Sequence, residues 1–306
     1  SLVISDGCMT TVMPSKKVVV DYLKIMEERS KGDPRRLMLP SGIGCVDRIL
    51  GGFGNSTLNI IAARPSQGKS AILLRMADNA AFSNPVLYVT IEMPIVDNMD
   101  RLVSMRSGLD PALIKRASMP EDSPEYKAYI RALKSIHGSK MNWMEDPSVT
   151  VRDIEARARE IRRQHGLRAV FIDYLQYIES PDRGMRDRYE IVSENTRRLK
   201  IMSRSLKIPV IVGCQLSRSV ENRDDKIPIL SDLAESGKIE QDADSVMFLM
   251  RPEFYNPPAN KDYMRPEEAN VIVAKNRNHR TGRVKVHYTP ALTKFFDPSD
   301  ELDFGG

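Results

Sequence analysis

Five short apolar runs limit the folds open to this chain more than any other feature: LNIIA at 58–62, VLYVT at 86–90, AVFI at 169–172, VIVGC at 210–214 and SVMFLM at 245–250. Each is shorter than an ordinary core helix and too continuously apolar for a strand with one face in water. Such runs, separated by helical stretches, describe parallel strands covered on both faces, because crossover helices must land on the faces of a parallel sheet. The pattern predicts an α/β core with a mostly parallel sheet flanked by helices. Toward the C-terminus the rhythm changes. Residues 271–275 and 283–288 are separated by Thr281-Gly282, and 293–296 follow closely, which predicts an antiparallel extension. Thr150-Val151-Arg152-Asp153 reads as a capping box opening a helix with Ile154, Ala158 and Ile161 inward, closed by Gly166.

The core pattern starts near residue 36 and accounts for one large domain, 36–306, with an acidic, Gly-ended tail from about residue 297 expected to be flexible. Residues 1–35 form a separate N-terminal segment. Within it, 18–29 read as an amphipathic helix with Val19, Tyr22, Leu23 and Met26 on one face, broken by Ser30-Lys31-Gly32-Asp33-Pro34. A lone helix cannot bury that stripe by itself, so it must dock on the main domain or on a neighbouring molecule. No apolar run approaches the ~18 residues of a membrane span, and no signal peptide pattern opens the chain. Cys8, Cys45 and Cys214 are far apart and in no metal-ligand spacing, which argues against a disulfide framework or zinc site and makes a reducing, cytoplasmic setting the default. The net charge of +5 permits nucleic-acid binding without demonstrating it.

The first apolar run leads into AARPSQGKSA, residues 62–71, and then into the helix-like Ala71-Ile72-Leu73-Leu74. A strand, a tight polar turn and a helix start form the context of a phosphate-binding loop. Backbone N–H groups of the turn can point at an anion, and the helix N-terminus adds partial positive charge. The candidate nucleotide contacts are Ala63, Arg64, Pro65, Ser66, Gln67, Gly68, Lys69, Ser70 and Ala71. Lys69 would reach the β- and γ-phosphates of ATP, while the Ser70 hydroxyl binds Mg²⁺. Ala63 stands where the motif usually has glycine.

Other apolar runs end in polar residues, and in parallel sheets ligands bind at the carboxyl ends of strands. Asp173 ends one run and can hold the water shell of Mg²⁺; alternatively it only starts a turn. Glu92 follows the strand after the loop and can polarise the water attacking a γ-phosphate, or it is a surface residue opening the next helix. Gln215 ends a third run, as a γ-phosphate contact or a solvated amide. Lys275 and Arg277 lie one residue apart on a strand and point to one side: an arginine-finger pair aimed at another subunit's nucleotide, or an ordinary basic edge, the simpler reading of the residues alone. Two polar loops follow strand ends, 179–190 with Arg183, Arg186 and Arg188, and 216–230 with Arg218, Arg223 and Lys226. Both mix in acids. On the helix 191–206, Arg197, Lys200 and Arg204 read as a solvated face.

Taken together, these stretches resemble the C-terminal RecA-like motor domain of the DnaB-type replicative helicases of bacteria and phages, a P-loop NTPase core. The resemblance is carried by the 62–70 loop, Ile91-Glu92-Met93, Ile172-Asp173-Tyr174-Leu175-Gln176, Gln215-Leu216-Ser217-Arg218, the run SDLAESGKIEQDAD at 231–244, and Lys275-Asn276-Arg277-Asn278, in the family's order over 18–296. In that family Ala at position 63 is common. The resemblance implies ATP and Mg²⁺ as cofactors, Glu92 as general base, Gln215 as γ-phosphate sensor, Arg101 as a nucleotide contact, and Lys275 and Arg277 acting on the neighbouring subunit's ATP. It implies a homo-oligomeric ring, a hexamer in the family, with the 18–29 helix as a linker docked on the next subunit. Ala234, Glu235, Ser236 and Gly237 would face a channel and hold single-stranded DNA, with Arg183, Arg186 and Arg218 as further contacts. Ala234 stands where many relatives have a basic residue, which leaves the DNA contact there to main-chain groups. Translocation 5′→3′ is implied, with primase and a helicase loader as partners. The family's primase-binding collar has no counterpart here, as expected of the motor alone or of a truncated relative. The alternative is a RecA/KaiC-like ring or filament ATPase that does not separate strands.

Overall fold

A computed structural model describes residues 13–31, 38–180, 187–233 and 237–303. The chain divides into two compact units, meeting at Met38/Leu39. The first holds helix α1 (Ser15–Lys31), which begins three residues ahead of the predicted stretch and ends two beyond it. Its apolar stripe is exposed: Val19 is 54% accessible and Leu23 60%.

Among the described residues the main sheet has nine strands: β1 (Leu58–Ala63), β2 (Val86–Thr90), β3 (Met141–Glu145), β4 (Ala169–Asp173), β5 (Val210–Gln215), β6 (Ser245–Met250), β7 (Glu267–Asn276), β8 (Gly282–Thr289) and β9 (Lys294–Phe296). Their order in the sheet is β9-β8-β7-β6-β1-β5-β4-β2-β3. From β6 to β3 all neighbours run parallel, while β7, β8 and β9 add an antiparallel flank. All five apolar runs are strands. The sixth parallel strand, β3, escaped the sequence reading because it lies at the sheet edge, half-buried, where MNWME mixes polar and apolar residues.

Period-two alternation sends each run into two cores. Ile61, Ala63, Tyr88 and Phe171 share one core with residues of α2 (Gly44–Leu50), α3 (Lys69–Ala81), α4 (Ile95–Ser107), α5 (Pro111–Arg116) and α6 (Pro124–His137). Leu58, Ile60, Val89 and Ile172 face α7 (Val151–His165) and α8 (Arg188–Leu206). Full burial stabilises each of the Val, Leu, Ile and Phe side chains among them by about 1.5–3 kcal/mol, so both faces hold the sheet. The capping box opening α7 is present: Thr150 Oγ1 accepts from the Asp153 N–H, the Asp153 carboxylate accepts from the Thr150 N–H, and Gly166 closes the helix at φ +77°.

Two expectations are corrected. Lys200 does not share a solvated face on α8; its ammonium donates to Asp244 Oδ2 at 2.6 Å and to the Ser56 carbonyl at 3.0 Å, because Asp244 is nearly buried and needs a cation. Asp297, where the flexible tail was expected to start, is buried. Its carboxylate accepts from the Cys45 and Ser299 N–H groups, and 298–303 form a 3₁₀ turn. Residues 304–306 lie outside the described residues.

Candidate nucleotide site

The loop 64–68 joins β1 to α3 through two left-handed residues, Ser66 (φ +64°) and Gly68 (φ +93°). Glycine is required at 68 on two counts. An L side chain is strained at that φ, and a Cβ there would lie 2.9 Å from Phe295 Cζ. Ser66 holds a conformation unfavourable to a side chain, and Arg251, just past the end of β6, braces it. The Arg251 Nη1 donates to the Ser66 carbonyl at 2.9 Å, and the Arg251 N–H donates to Gln67 Oε1 at 2.7 Å. Arg251 is locked in turn by an ion pair with Glu267 and lies 4.2 Å over the Tyr288 ring. None of this bracing was visible in the motif.

Two predicted nucleotide contacts use their side chains elsewhere. Arg64 Nε donates to Glu221 at 2.8 Å and Nη1 to the Leu216 carbonyl at 2.8 Å. Gln67 is committed to Arg251. Through these hydrogen bonds the Arg64 guanidinium and the Gln67 Oε1 shape the loop from within the protein. What remains for an anion is the turn's backbone, Lys69 and the start of α3.

Lys69 Nζ lies 2.6 Å from Asp173 Oδ1, at the end of β4, and 3.6 Å from the centroid of the Tyr174 ring. Asp173 is only 3% accessible, so its charge depends on Lys69. Gly213 on β5 leaves room for the pair: a Cβ there would come within 3.2 Å of both Lys69 Nζ and Asp173 Oδ1. Lys69, Ser70, Glu92, Arg101 and Gln215 all line one cleft of about 340 Å³, which Tyr174, Tyr288 and Thr293 complete. Sequence reasoning passed over these last three because isolated aromatic and hydroxyl residues, Tyr288 inside β8 among them, carry no spacing signal. The Tyr174 hydroxyl donates to Gln215 Oε1 at 3.3 Å, and its phenol is pushed well up by burial, then by hydrogen bonding with Tyr177 and the Glu92 charge. Ser70 and Asp173 supply a hydroxyl and a carboxylate beside the loop, hard oxygen donors of the kind Mg²⁺ takes.

Lys275 and Arg277 do point to one side, as their spacing predicts, but away from this cleft. Lys275 Nζ donates to the Glu240 carbonyl and Arg277 Nη2 to the Gln241 carbonyl at 2.6 Å, both at the C-terminal end of α9 (Gly237–Asp242). Arg277 also pairs with Asp244 at 3.4 Å. Burial, then the Arg277 charge, holds the Lys275 ammonium below the usual lysine value.

Of the predicted DNA contacts, Arg183, Arg186, Ala234, Glu235 and Ser236 lie outside the described residues. Gly237 opens α9, and Arg218 is exposed beside Arg188, lining a second cleft that also reaches Gln176 and Gln215. Arg223 is drawn back onto Asp232, and Lys226 donates to the Glu221 carbonyl at 2.6 Å. Among the described residues no helix is long and apolar enough to cross a membrane.

Residues 38–297 match the model of the DnaB-like helicase C-terminal domain. The chain belongs to that family. It is 35% identical over 291 residues to the replicative DNA helicase DnaB of Geobacillus stearothermophilus, covering 94% of this chain and 63% of the relative. It is 34% identical to the replicative DNA helicase DnaC of Bacillus subtilis, covering 88% and 58%. The chain thus spans about 60% of the length of the curated DnaB-family relatives it matches. Among solved structures, the ATPase domain of G40P superposes with a TM-score of 0.83 at 33% identity, covering 92% of this chain and 98% of that one. A DnaB-like replicative helicase studied with primase gives 0.81 at 33%, covering 94% and 67%. A KaiC-like protein of Pyrococcus horikoshii, at 16% identity and a TM-score of 0.56 over 85% and 97%, shares the RecA-like fold alone.

Proposed function

We propose that the chain is the ATP-hydrolysing motor of a replicative DNA helicase, working as a hexameric ring around single-stranded DNA in the cytoplasm. One observation carries the reading. Lys69, Glu92 and Gln215 converge on one cleft, with Asp173 buried behind Lys69 and paired to it, while the cations Lys275 and Arg277 do not line it. Such a site, with Lys69 and Arg101 as its own cations, can hold nucleotide by itself, and a neighbour's Lys275 and Arg277 would add further positive charge for the transferring phosphoryl group.

In this scheme the loop N–H groups and the α3 N-terminus hold the β- and γ-phosphates, and Lys69 exchanges Asp173 for phosphate oxygens. The Ser70 hydroxyl and the Asp173 carboxylate would hold Mg²⁺, which neutralises charge on those phosphates. Glu92 takes the proton of the attacking water, and Gln215 donates its amide to the γ-phosphate. Lys275 and Arg277 act on the next subunit's nucleotide. The exposed stripe of α1 suits docking on that neighbour. The loop leading into α9 would hold the DNA backbone, with 5′→3′ movement following the family. The DnaB-like helicase studied with primase makes primase a partner to test, alongside a loader.

The test is displacement of a labelled strand from a forked duplex with Mg²⁺ and ATP. The chain should unwind the fork, and a folded Lys69→Ala variant should lose turnover and displacement together. Turnover without displacement would favour the RecA/KaiC-like alternative. Undiminished hydrolysis by Lys69→Ala would remove the nucleotide site itself.

A further inference from the structure

Tyr174 stands where the phosphate clamp, the buried carboxylate and the sensor meet, and the scheme above gives it no role. Lys69 Nζ lies 3.6 Å from its ring centroid, and its hydroxyl donates to Gln215 Oε1 at 3.3 Å. The residue is 7% accessible, and the Tyr177 ring meets it edge-on with centroids 4.7 Å apart. Two residues on, Gln176 grips the backbone of the same glutamine. Its Nε2 donates to the Gln215 carbonyl at 3.1 Å, and its Oε1 accepts from the Gln215 N–H at 3.1 Å. The segment after Asp173 therefore holds Gln215 twice, by main chain and by side chain.

The chemistry of an amide gives that second hold its meaning. A γ-phosphate offers only acceptor oxygens, so Gln215 serves it only with the NH₂ end turned toward the cleft. The Tyr174 hydroxyl, donating to Oε1, favours that orientation and leaves Nε2 for the cleft. We propose that Tyr174 is a positioning residue for the sensor: its hydroxyl orients the Gln215 amide so that triphosphate is distinguished from diphosphate. The ring, meanwhile, gives Lys69 a second surface beside Asp173 from which to meet the phosphates. The proposal rests on the nucleotide reading of the cleft and goes beyond it in assigning how the sensor is aimed. Without the hydroxyl the amide is free to turn its oxygen toward an anion, where it repels.

Tyr174→Phe tests this with little risk to the fold, since it keeps the ring, its packing and the Lys69 contact. The measurement is equilibrium binding of fluorescent derivatives of AMP-PNP and of ADP, with Mg²⁺, to the full 306-residue chain. Wild type is compared with Tyr174→Phe, Gln215→Ala and the double variant. The preference for triphosphate over diphosphate should fall about tenfold in Tyr174→Phe, the worth of one hydrogen bond to a charged group, with ADP affinity unchanged. The double variant should be no worse than Gln215→Ala, and kcat for ATP should fall more than KM rises. A wild-type preference in Tyr174→Phe, equal loss of both nucleotides, or full additivity with Gln215→Ala would overturn the proposal. A wild type that binds both nucleotides without preference also overturns it, while leaving the nucleotide site standing. A wild type that binds neither sinks the nucleotide reading, and this proposal with it.

Discussion

The nucleotide cleft and the flank around α9 treat their cations differently. In the cleft Lys69 faces a carboxylate 2.6 Å away that is 3% accessible, so the pair is shielded from solvent and strongly dependent on both members. On the flank Lys275 and Arg277 rest mainly on backbone carbonyls at the end of a six-residue helix, and the Arg277 side chain is half exposed. Carbonyls at a helix C-terminus attract cations by only about 0.3–1 kcal/mol in exposed settings. A ligand entering the cleft must replace a strong partner with a stronger one. On the flank, the same two cations can leave for a phosphate at little cost. One site is assembled within the chain; under the proposed reading, the other would be completed by contact with a neighbour.

The sharpest way to break that contrast is Arg277→Ala. If the flank serves the next subunit's nucleotide, the substitution should lower hydrolysis by about 10³-fold or more, the usual worth of an arginine finger, while nucleotide still binds. Mixing Arg277→Ala subunits with Lys69→Ala subunits should then restore part of the activity, because some interfaces combine an intact loop with an intact finger. ATPase assays of mixtures with verified subunit exchange decide it. Mixtures that regain nothing would place the finger within its own chain.

Glu92→Gln probes the other side of the comparison. Glu92 is exposed at the cleft and makes none of the buried pairings of Asp173, so exchanging its carboxylate for an amide should leave nucleotide binding intact. Hydrolysis should fall by about 10²–10⁴-fold, as expected from loss of a general base. Equal loss of binding, read by titration with a fluorescent nucleotide, would instead make Glu92 part of the phosphate or metal hold.

What could be read from the residues follows the same divide. The loop, Asp173, Glu92 and Gln215 were legible because each ends or follows a buried apolar run, and strand ends of a parallel sheet converge by geometry. Lys275 and Arg277 were legible as a same-side pair, but α9 carbonyls as their partners were not, since a carbonyl leaves no mark in a sequence. Arg251, which braces Ser66 and is itself held by Glu267 on the flank, was missed because its contact with the loop spans 185 residues. Lys200 misled for a related reason: its partner Asp244 lies in a distant segment, and helical spacing alone placed it in solvent. Strand β3 was lost to its edge position, where half-burial blurs the apolar run.

The smallest effect concerns the loop ahead of α9. Asp232 is 2% accessible and gathers the segment 217–233 around itself. Its carboxylate pairs with the Arg223 guanidinium and accepts from the Ile229 N–H at 2.7 Å and Ser219 Oγ at 3.1 Å. Burial alone would push this carboxyl up, but those hydrogen bonds outweigh it and hold it below the ordinary carboxylate value. A folded pKa below the unfolded ~3.9 means the stabilisation is fully present above that value and fades as pH falls through the lower, folded value. Asp232→Asn keeps the shape and turns one acceptor into a donor facing Arg223 or the Ile229 N–H. It should destabilise the protein by about 1–3 kcal/mol at pH 7, with a smaller gap from wild type in acid. Asp153 and Asp297 are held low in the same way, and because both remain in the variant their contributions cancel in the comparison. Urea unfolding of the two proteins at pH 7 and at about pH 3.5 measures the gap. A gap that stays constant between the two would mean that Asp232 acts through shape alone, leaving the loop, like the finger pair, held mainly by uncharged backbone groups.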